Sequence, residues 1–330
     1  MYSDYYGFNQ KPFTITPNPQ FMFLSSHHRE AFAHLLYGID SHAGFIALTG
    51  EVGTGKTTIL RTLLSELNPD TYRSALIFNP CLTGEQLLAS LCREFGIQPE
   101  EYRRYGYHDA LNSFLVSQHA AGRTTVLVVD EAQNLSPAVL EQIRMISNLE
   151  TESDKLIQII LSGQPELNTL LNRYDLRQLN QRITVRSHLK SMELQDTGAY
   201  IKHRLKIAGC RMPGLFTDAA VKKIHRFSRG VPRLINVVSE QALIMAWTRE
   251  EAVITPRIVS QVISCIKPDV SLWQRVVGVV GMLRGSTPQA VSADSYPLEE
   301  EVIELVTPAP DSELLVDQHA VKQATGSADR

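Results

Sequence analysis

Apolar residues along the chain follow two periods. Continuous apolar runs at 44–49, 74–78, 124–129 and 156–161 have the length and β-branched content of strands buried on both faces of a parallel sheet, and 183–189 alternates as a fifth strand. Helical period occupies 30–39, 58–64, 85–95 and 108–121 between them. Ser136 and Pro137 open a further helix as N-cap and first helical residue. From Glu193 onward only helical period remains, at 196–208, 217–228, 231–248 and 255–266, with Thr217 and Thr255 as N-caps. The stretch 98–107, where tyrosines interleave with arginines, reads as a solvated loop. Beyond Lys267 the pattern decays into Pro, Ser and acidic residues. The organisation expected is an α/β core over 1–190, a helical domain over 191–267 and a flexible acidic tail over 268–330. The tail contains one short apolar segment at 273–284, a length for docking on a partner, lying at a membrane surface or folding back.

The first apolar run ends in Gly50-Glu51-Val52-Gly53-Thr54-Gly55-Lys56-Thr57, followed by Thr58 and a helical run. This is the P-loop pattern in the strand-to-helix context it needs. Glycines at these positions let the backbone wrap a polyphosphate with its N–H groups inward at a helix N-terminus, where the partial positive charge favours an anion. Lys56 is then placed to reach the β- and γ-phosphates, and the Thr57 hydroxyl to hold Mg2+.

The third run ends in Asp130-Glu131. In a P-loop NTPase a carboxylate there holds Mg2+, the role expected of Asp130, and its neighbour Glu131 polarises the attacking water. Ser162 and Gln164, closing the fourth run, are both candidates to sense the γ-phosphate, with Gln164 counted among the nucleotide-binding residues. Arg177 and Arg182 stand where oligomeric ATPases offer an arginine to a neighbour's phosphates; Arg182 is the first choice and Arg177 its alternate. Arg233, opening a lid helix after Val231-Pro232, is placed to turn back on the phosphates. The first 30 residues are rich in Tyr, Phe and Pro, and form a strap that either lines the base pocket or covers apolar surface without touching ligand. His27-His28 reads as surface or helix cap.

Composition narrows the class. The four cysteines, Cys81, Cys92, Cys210 and Cys265, form no Cys-x-x-Cys pair, which argues against a zinc site or a secreted disulfide framework and for a reducing cytoplasm. The N-terminus lacks the features of a signal peptide, and the longest apolar run, 276–283, is far short of the ~20 residues a spanning helix needs. Net charge is −3, but 268–330 holds 4 Lys and Arg against 10 Asp and Glu, which leaves +3 for 1–267. Neither half is basic enough to compel nucleic-acid binding.

The order of these motifs resembles the AAA+ superfamily. Within it, 5–8 with Pro12-Phe13, the P-loop, Asp130-Glu131-Ala132-Gln133-Asn134-Leu135, Ser162-Gly163-Gln164-Pro165 and 176–183 look like the ExeA or general secretion pathway protein A group, most of all its short MshM-type members. The resemblance implies a five-stranded αβα sandwich with an all-α lid, binding ATP and Mg2+. It also implies an ATP-dependent homo-oligomer that is cytoplasmic, or peripheral at the inner membrane, and serves assembly of a type IV pilus or type II secretion complex through a membrane component. The longer secretion members carry a transmembrane helix and a peptidoglycan-binding domain; neither is expected from the pattern of these 330 residues. A DNA-binding ATPase of the transposition-helper or replication-initiator type is the alternative, kept open by basic lid residues such as Lys202, Arg204, Lys206, Lys222 and Lys223. A nucleotide-gated adaptor with slow hydrolysis is a third reading, opposed by the intact Asp130-Glu131 pair.

Overall fold

The computed structural model describes residues 2–14, 19–78, 83–150 and 154–266. The expectations for the acidic tail, the 273–284 segment and Cys81 lie outside the described residues.

Five parallel strands, β1 (Phe45–Gly50), β2 (Tyr72–Ile77), β3 (Thr124–Val129), β4 (Ile157–Gly163) and β5 (Ile183–Leu189), form one sheet in the order β2-β3-β4-β1-β5. Parallel strands need crossovers, and the helices that make them cover both faces. Helices α2 (Ser26–Asp40) and α3 (Lys56–Glu66) close one face through Leu35, Ile39, Ile59 and Leu63, which meet Ile46, Leu48, Val126 and Ile160. On the other face α4 (Gly84–Glu94), α6 (Tyr107–Ala120), α7 (Pro137–Ile146), α8 (Glu166–Leu171) and α9 (Arg177–Arg182) pack against Ala47, Ile77, Leu127 and Ile159. The central strands β1, β3 and β4 divide their side chains between the two clusters, which is why their sequences are apolar without alternation, whereas the edge strand β5 alternates. The helix α1 (Tyr2–Tyr6) precedes this core, and α5 (Pro99–Tyr105) joins α4 to α6.

The lid consists of α10 (Leu194–Ile207), α11 (Asp218–Ser228), α12 (Pro232–Thr248) and α13 (Pro256–Ile266). Thr217 caps α11 by accepting the Ala220 N–H at 3.2 Å, and Ser136 caps α7 by accepting that of Val139 at 3.4 Å. Two features depart from the sequence pattern. Most of the stretch 98–107 is helical, as α5, where Pro99 starts the helix, Glu100 and Glu101 lie in its first turn and Arg103 and Arg104 in its last, an order that suits the helix dipole. The strap, grouped by sequence with the core, buries Tyr2, Tyr6, Phe8, Phe13 and Phe21 in the same cluster as lid residues Tyr200, Ile201, Phe216, Ile235 and Val238.

Candidate nucleotide-binding site

The site forms where β1, β3 and β4 end at the carboxyl edge of the sheet, the edge at which open α/β sheets bind ligands. Because β4 lies between β3 and β1, the chain order β1-β3-β4 becomes the spatial order P-loop, Ser162, Asp130. Leu48 of β1 is level with Ser162 of β4, and Val129 of β3 with Leu161.

Gly53 and Gly55 have φ of +79° and +104°, angles open to glycine, and the loop between them turns into the N-terminus of α3. Lys56 is only 5% exposed, and its Nζ donates to the carbonyls of Gly50 at 2.8 Å and Glu51 at 3.2 Å. Burial lowers its pKa, while the carboxylates of Glu131, Asp130, Glu51 and Glu166 pull it back up. A buried cation bonded only to neutral backbone carbonyls keeps its charge available for phosphate oxygens.

Asp130, 2% exposed, is held from two sides. The Thr57 hydroxyl donates to its Oδ2 at 2.6 Å, and that of Ser162 to its Oδ1 at 2.8 Å. Thr57 and Asp130 thus present adjacent oxygen donors, the hard ligands that Mg2+ prefers, so the residues fit that ion. Glu131 has φ +53°, the left-handed region, which turns its side chain away from the strand direction and towards the cavity. Its Oε2 accepts from Gln133 Nε2 at 2.6 Å and Gln164 Nε2 at 3.4 Å. Gln133 Oε1 in turn accepts the Gln164 backbone N–H at 3.0 Å. Of the two γ-phosphate candidates, Ser162 therefore bonds Asp130 and Gln164 bonds Glu131.

A cavity of about 390 Å³ opens beside these groups, bounded by Val52, Gly53, Gly55, Lys56, Thr57, Thr58 and Glu131 from the core and by Arg233 from the lid. The lid touches the loop directly, since the Arg233 N–H donates to the Gly53 carbonyl at 3.3 Å. Arg182 is not at the cavity; its guanidinium donates to Ser147 Oγ at 3.1 Å. Arg177 is exposed, 4.2 Å over the ring of Tyr174.

The far wall of the cavity is one that the motifs did not reveal. Thr14, Phe21, Met22 and Phe23 of the strap face Met192, Tyr200, Arg204 and Asn236 of the lid. Arg204, 6% exposed, ties them together, donating to the Pro12 carbonyl at 2.5 Å, the Tyr200 hydroxyl at 2.8 Å and the Thr14 carbonyl at 3.3 Å. The Tyr200 hydroxyl passes its own proton to Asn236 Oδ1 at 2.9 Å. Part of the strap thus lines the cavity while the rest covers the lid. Arg204 is spent on this joint, which removes it from the basic lid surface. The available signal was Tyr200 and Arg204 four residues apart on one helix face, a pattern equally suited to an exposed cation–π contact.

This fold and this site define a P-loop NTPase of the AAA type, a nucleotide-binding class, and residues 39–171 match the family model described as AAA domain. The chain is 47% identical over 250 residues to General secretion pathway protein A of Aeromonas hydrophila, an alignment that covers 76% of this chain and 45% of that protein. It therefore spans less than half the length of that relative. Among solved structures, the Aeropyrum pernix ORC2 protein matches with a TM-score of 0.59 at 17% identity, covering 78% of this chain and 72% of that one. Drosophila ORC bound to DNA matches at 0.59 and 19%, covering 84% and 67%. The Thermotoga maritima RuvB Holliday junction branch migration motor matches at 0.51 and 19%, covering 80% and 78%. At these identities the likeness is one of fold. Among the described residues no helix is long and apolar enough to cross a membrane.

Proposed function

We propose that this chain is a Mg2+-dependent ATPase that hydrolyses ATP to ADP and phosphate. In this reading, closure of the lid on the core drives assembly of an envelope complex of the type II secretion or type IV pilus kind, from the cytoplasmic side, through an inner-membrane partner. The observation that carries the enzymatic part is the convergence of Lys56, the Thr57–Asp130 pair, Glu131 and Arg233 on one cavity. The envelope setting is supported by the similarity to General secretion pathway protein A.

Each residue has a separable task. P-loop N–H groups from 50–57 and Lys56 bind the phosphates, and Thr57 with Asp130 would hold Mg2+, whose charge screens the phosphate oxygens. Glu131 accepts a proton from the attacking water, oriented by the amides of Gln133 and Gln164. Arg233, on the helix whose first turn bonds Gly53, adds positive charge from the lid. For the arginine offered to a second copy, Arg177 meets the need better than Arg182, because it is exposed whereas Arg182 is partly buried and bonded to Ser147 within its own core.

The test is steady-state hydrolysis at rising protein concentration, with chelator, with and without double-stranded DNA, and with Lys56→Ala as blank. Mg2+-dependent specific activity that rises with concentration and ignores DNA supports this reading. Activity only with DNA replaces it with the DNA-binding alternative. Mixing Arg177→Ala with Glu131→Gln subunits tests the shared site, since hydrolysis restored in the mixture requires an arginine acting across copies.

A further inference from the structure

A P-loop turns N–H groups inward to meet an anion, which turns carbonyls outward, where each needs a donor. Most of those donors belong to the loop or to the lid. Lys56 serves Gly50 and Glu51, the Thr54 hydroxyl also serves Glu51 at 2.8 Å, and the Arg233 N–H serves Gly53. The Thr54 carbonyl is different, because its partner is a side chain from α2. His28 Nε2 lies 3.0 Å from it.

Two facts show that this contact is built. His28 is 4% exposed, and its Nδ1 lies 2.6 Å from Ser25 Oγ. Ser25 is the N-cap of α2 and accepts the His28 N–H at 3.4 Å, so its own O–H is free to point at Nδ1, which leaves the ring proton on Nε2. The ring also occupies the space beside Gly55, where an added Cβ would stand 3.0 Å from Nε2. A trans peptide places C=O and the following N–H on opposite sides. Fixing the Thr54 carbonyl outward therefore aims the Gly55 N–H into the loop.

We propose that His28 is a positioning residue for the nucleotide phosphates, its Nε2–H holding the Thr54–Gly55 peptide so that the Gly55 N–H faces the phosphate. The inference rests on the nucleotide site proposed above. Its sign in solution is selective loss of phosphate-containing ligands, rescued by any side chain that puts an N–H where Nε2 stands.

Binding of N-methylanthraniloyl-ADP to the full chain, followed by fluorescence, provides the test. His28→Ala should weaken binding about tenfold, the worth of one buried hydrogen bond and the order it imposes. His28→Gln, whose amide nitrogen reaches the Nε2 position, should recover to within about threefold of wild type, whereas His28→Asn, whose amide stops at Nδ1, should not. The KM for ATP should rise in His28→Ala with kcat unchanged, the mark of lost uniform binding. Ser25→Ala, which keeps the ring and frees its tautomer, should lie between. Equal affinity in wild type and His28→Ala overturns the inference. So do equal affinities for the Gln and Asn variants, a comparison that holds even if the Ala variant does not fold. A wild type that binds no ADP fails the nucleotide site itself, and this inference with it.

Discussion

Glu131 occupies a backbone region that non-glycine residues seldom adopt, and three bonds hold it there. Its N–H donates to Asp130 Oδ1 at 3.0 Å, and two glutamine amides grip its carboxylate. Such strain, on the order of 1 kcal/mol or more, persists where surrounding structure over-determines it, which is common at functional sites. Glu131→Gln should lower kcat by about 10²-fold or more while retaining ATP, measured by single-turnover hydrolysis and nucleotide retention on a sizing column. Gln133→Leu removes the orienting amide but leaves the base, so kcat should fall roughly tenfold with KM unchanged. Cys92 supplies a pH-dependent check on the core. Burial pushes its thiol up to about 11, from an ordinary value of 9.0. Between those values the unfolded chain releases a proton that the folded chain keeps, so this group lowers stability as pH rises from 9 towards 11. At pH 8, thiol reagents should label exposed Cys265 and spare Cys92 until the chain unfolds, as read by peptide mass. Lys56, Asp130 and Glu131 were legible as residues because a P-loop and a carboxylate-ended strand constrain local sequence. Gln133 and His28 were not, because the contacts that fix them reach Gln164 and Thr54, 31 and 26 residues away along the chain.

The helices on the sheet follow from apolar period, but how closely they approach it does not. Gly38 of α2 faces β1, and an added Cβ would stand 2.6 Å from Ile46 Cδ1. Gly38→Leu should therefore cost about 1–3 kcal/mol of stability, measured by denaturant unfolding, since the side chain must displace a packed neighbour. The short helix α5 escaped the pattern for a complementary reason. None of its residues is fully buried, so it leaves no apolar stripe, and its start is written only in Pro99 and its charge order. The stacking of Tyr102 on Tyr107, with ring centroids 5.1 Å apart, joins it to α6.

Within the lid, the segment leading into α10 meets the turn into α12 at Gly230, where backbone approaches backbone. Its φ is +78°, and a Cβ there would lie 1.9 Å from the Met192 carbonyl oxygen, while its own carbonyl accepts the Met192 N–H at 2.9 Å. Gly230→Ala cannot be absorbed by a rotamer change. It should destabilise the chain by about 2 kcal/mol or more and weaken ADP binding, because the helix carrying Arg233 starts two residues later. Gly53→Ala probes the core–lid contact itself, where the P-loop meets Arg233. Its Cβ would stand 2.7 Å from Arg233 Cβ and its φ of +79° disfavours any side chain, so the lid must withdraw; ATP affinity should fall about tenfold and stability by about 1 kcal/mol, compared by calorimetry. The strap locks this arrangement, since its aromatics are buried with the lid while Phe21 and Phe23 reach the cavity.

The sequence by itself determined the chemistry at the strand ends: a glycine-rich loop before a helix, two carboxylates after a buried strand, and helices alone beyond Glu193. These are local, and each depends on residues within one or two turns of its neighbours. Only the tertiary structure decided that β4 sits between β3 and β1, which puts Ser162 on Asp130 and Gln164 on Glu131. It also decided that Arg182 turns to Ser147, that Arg204 stitches strap to lid, and that His28 supports the loop from below. Those contacts arise from strand order and helix approach, which are set by the packing of the whole core and leave no period in the chain.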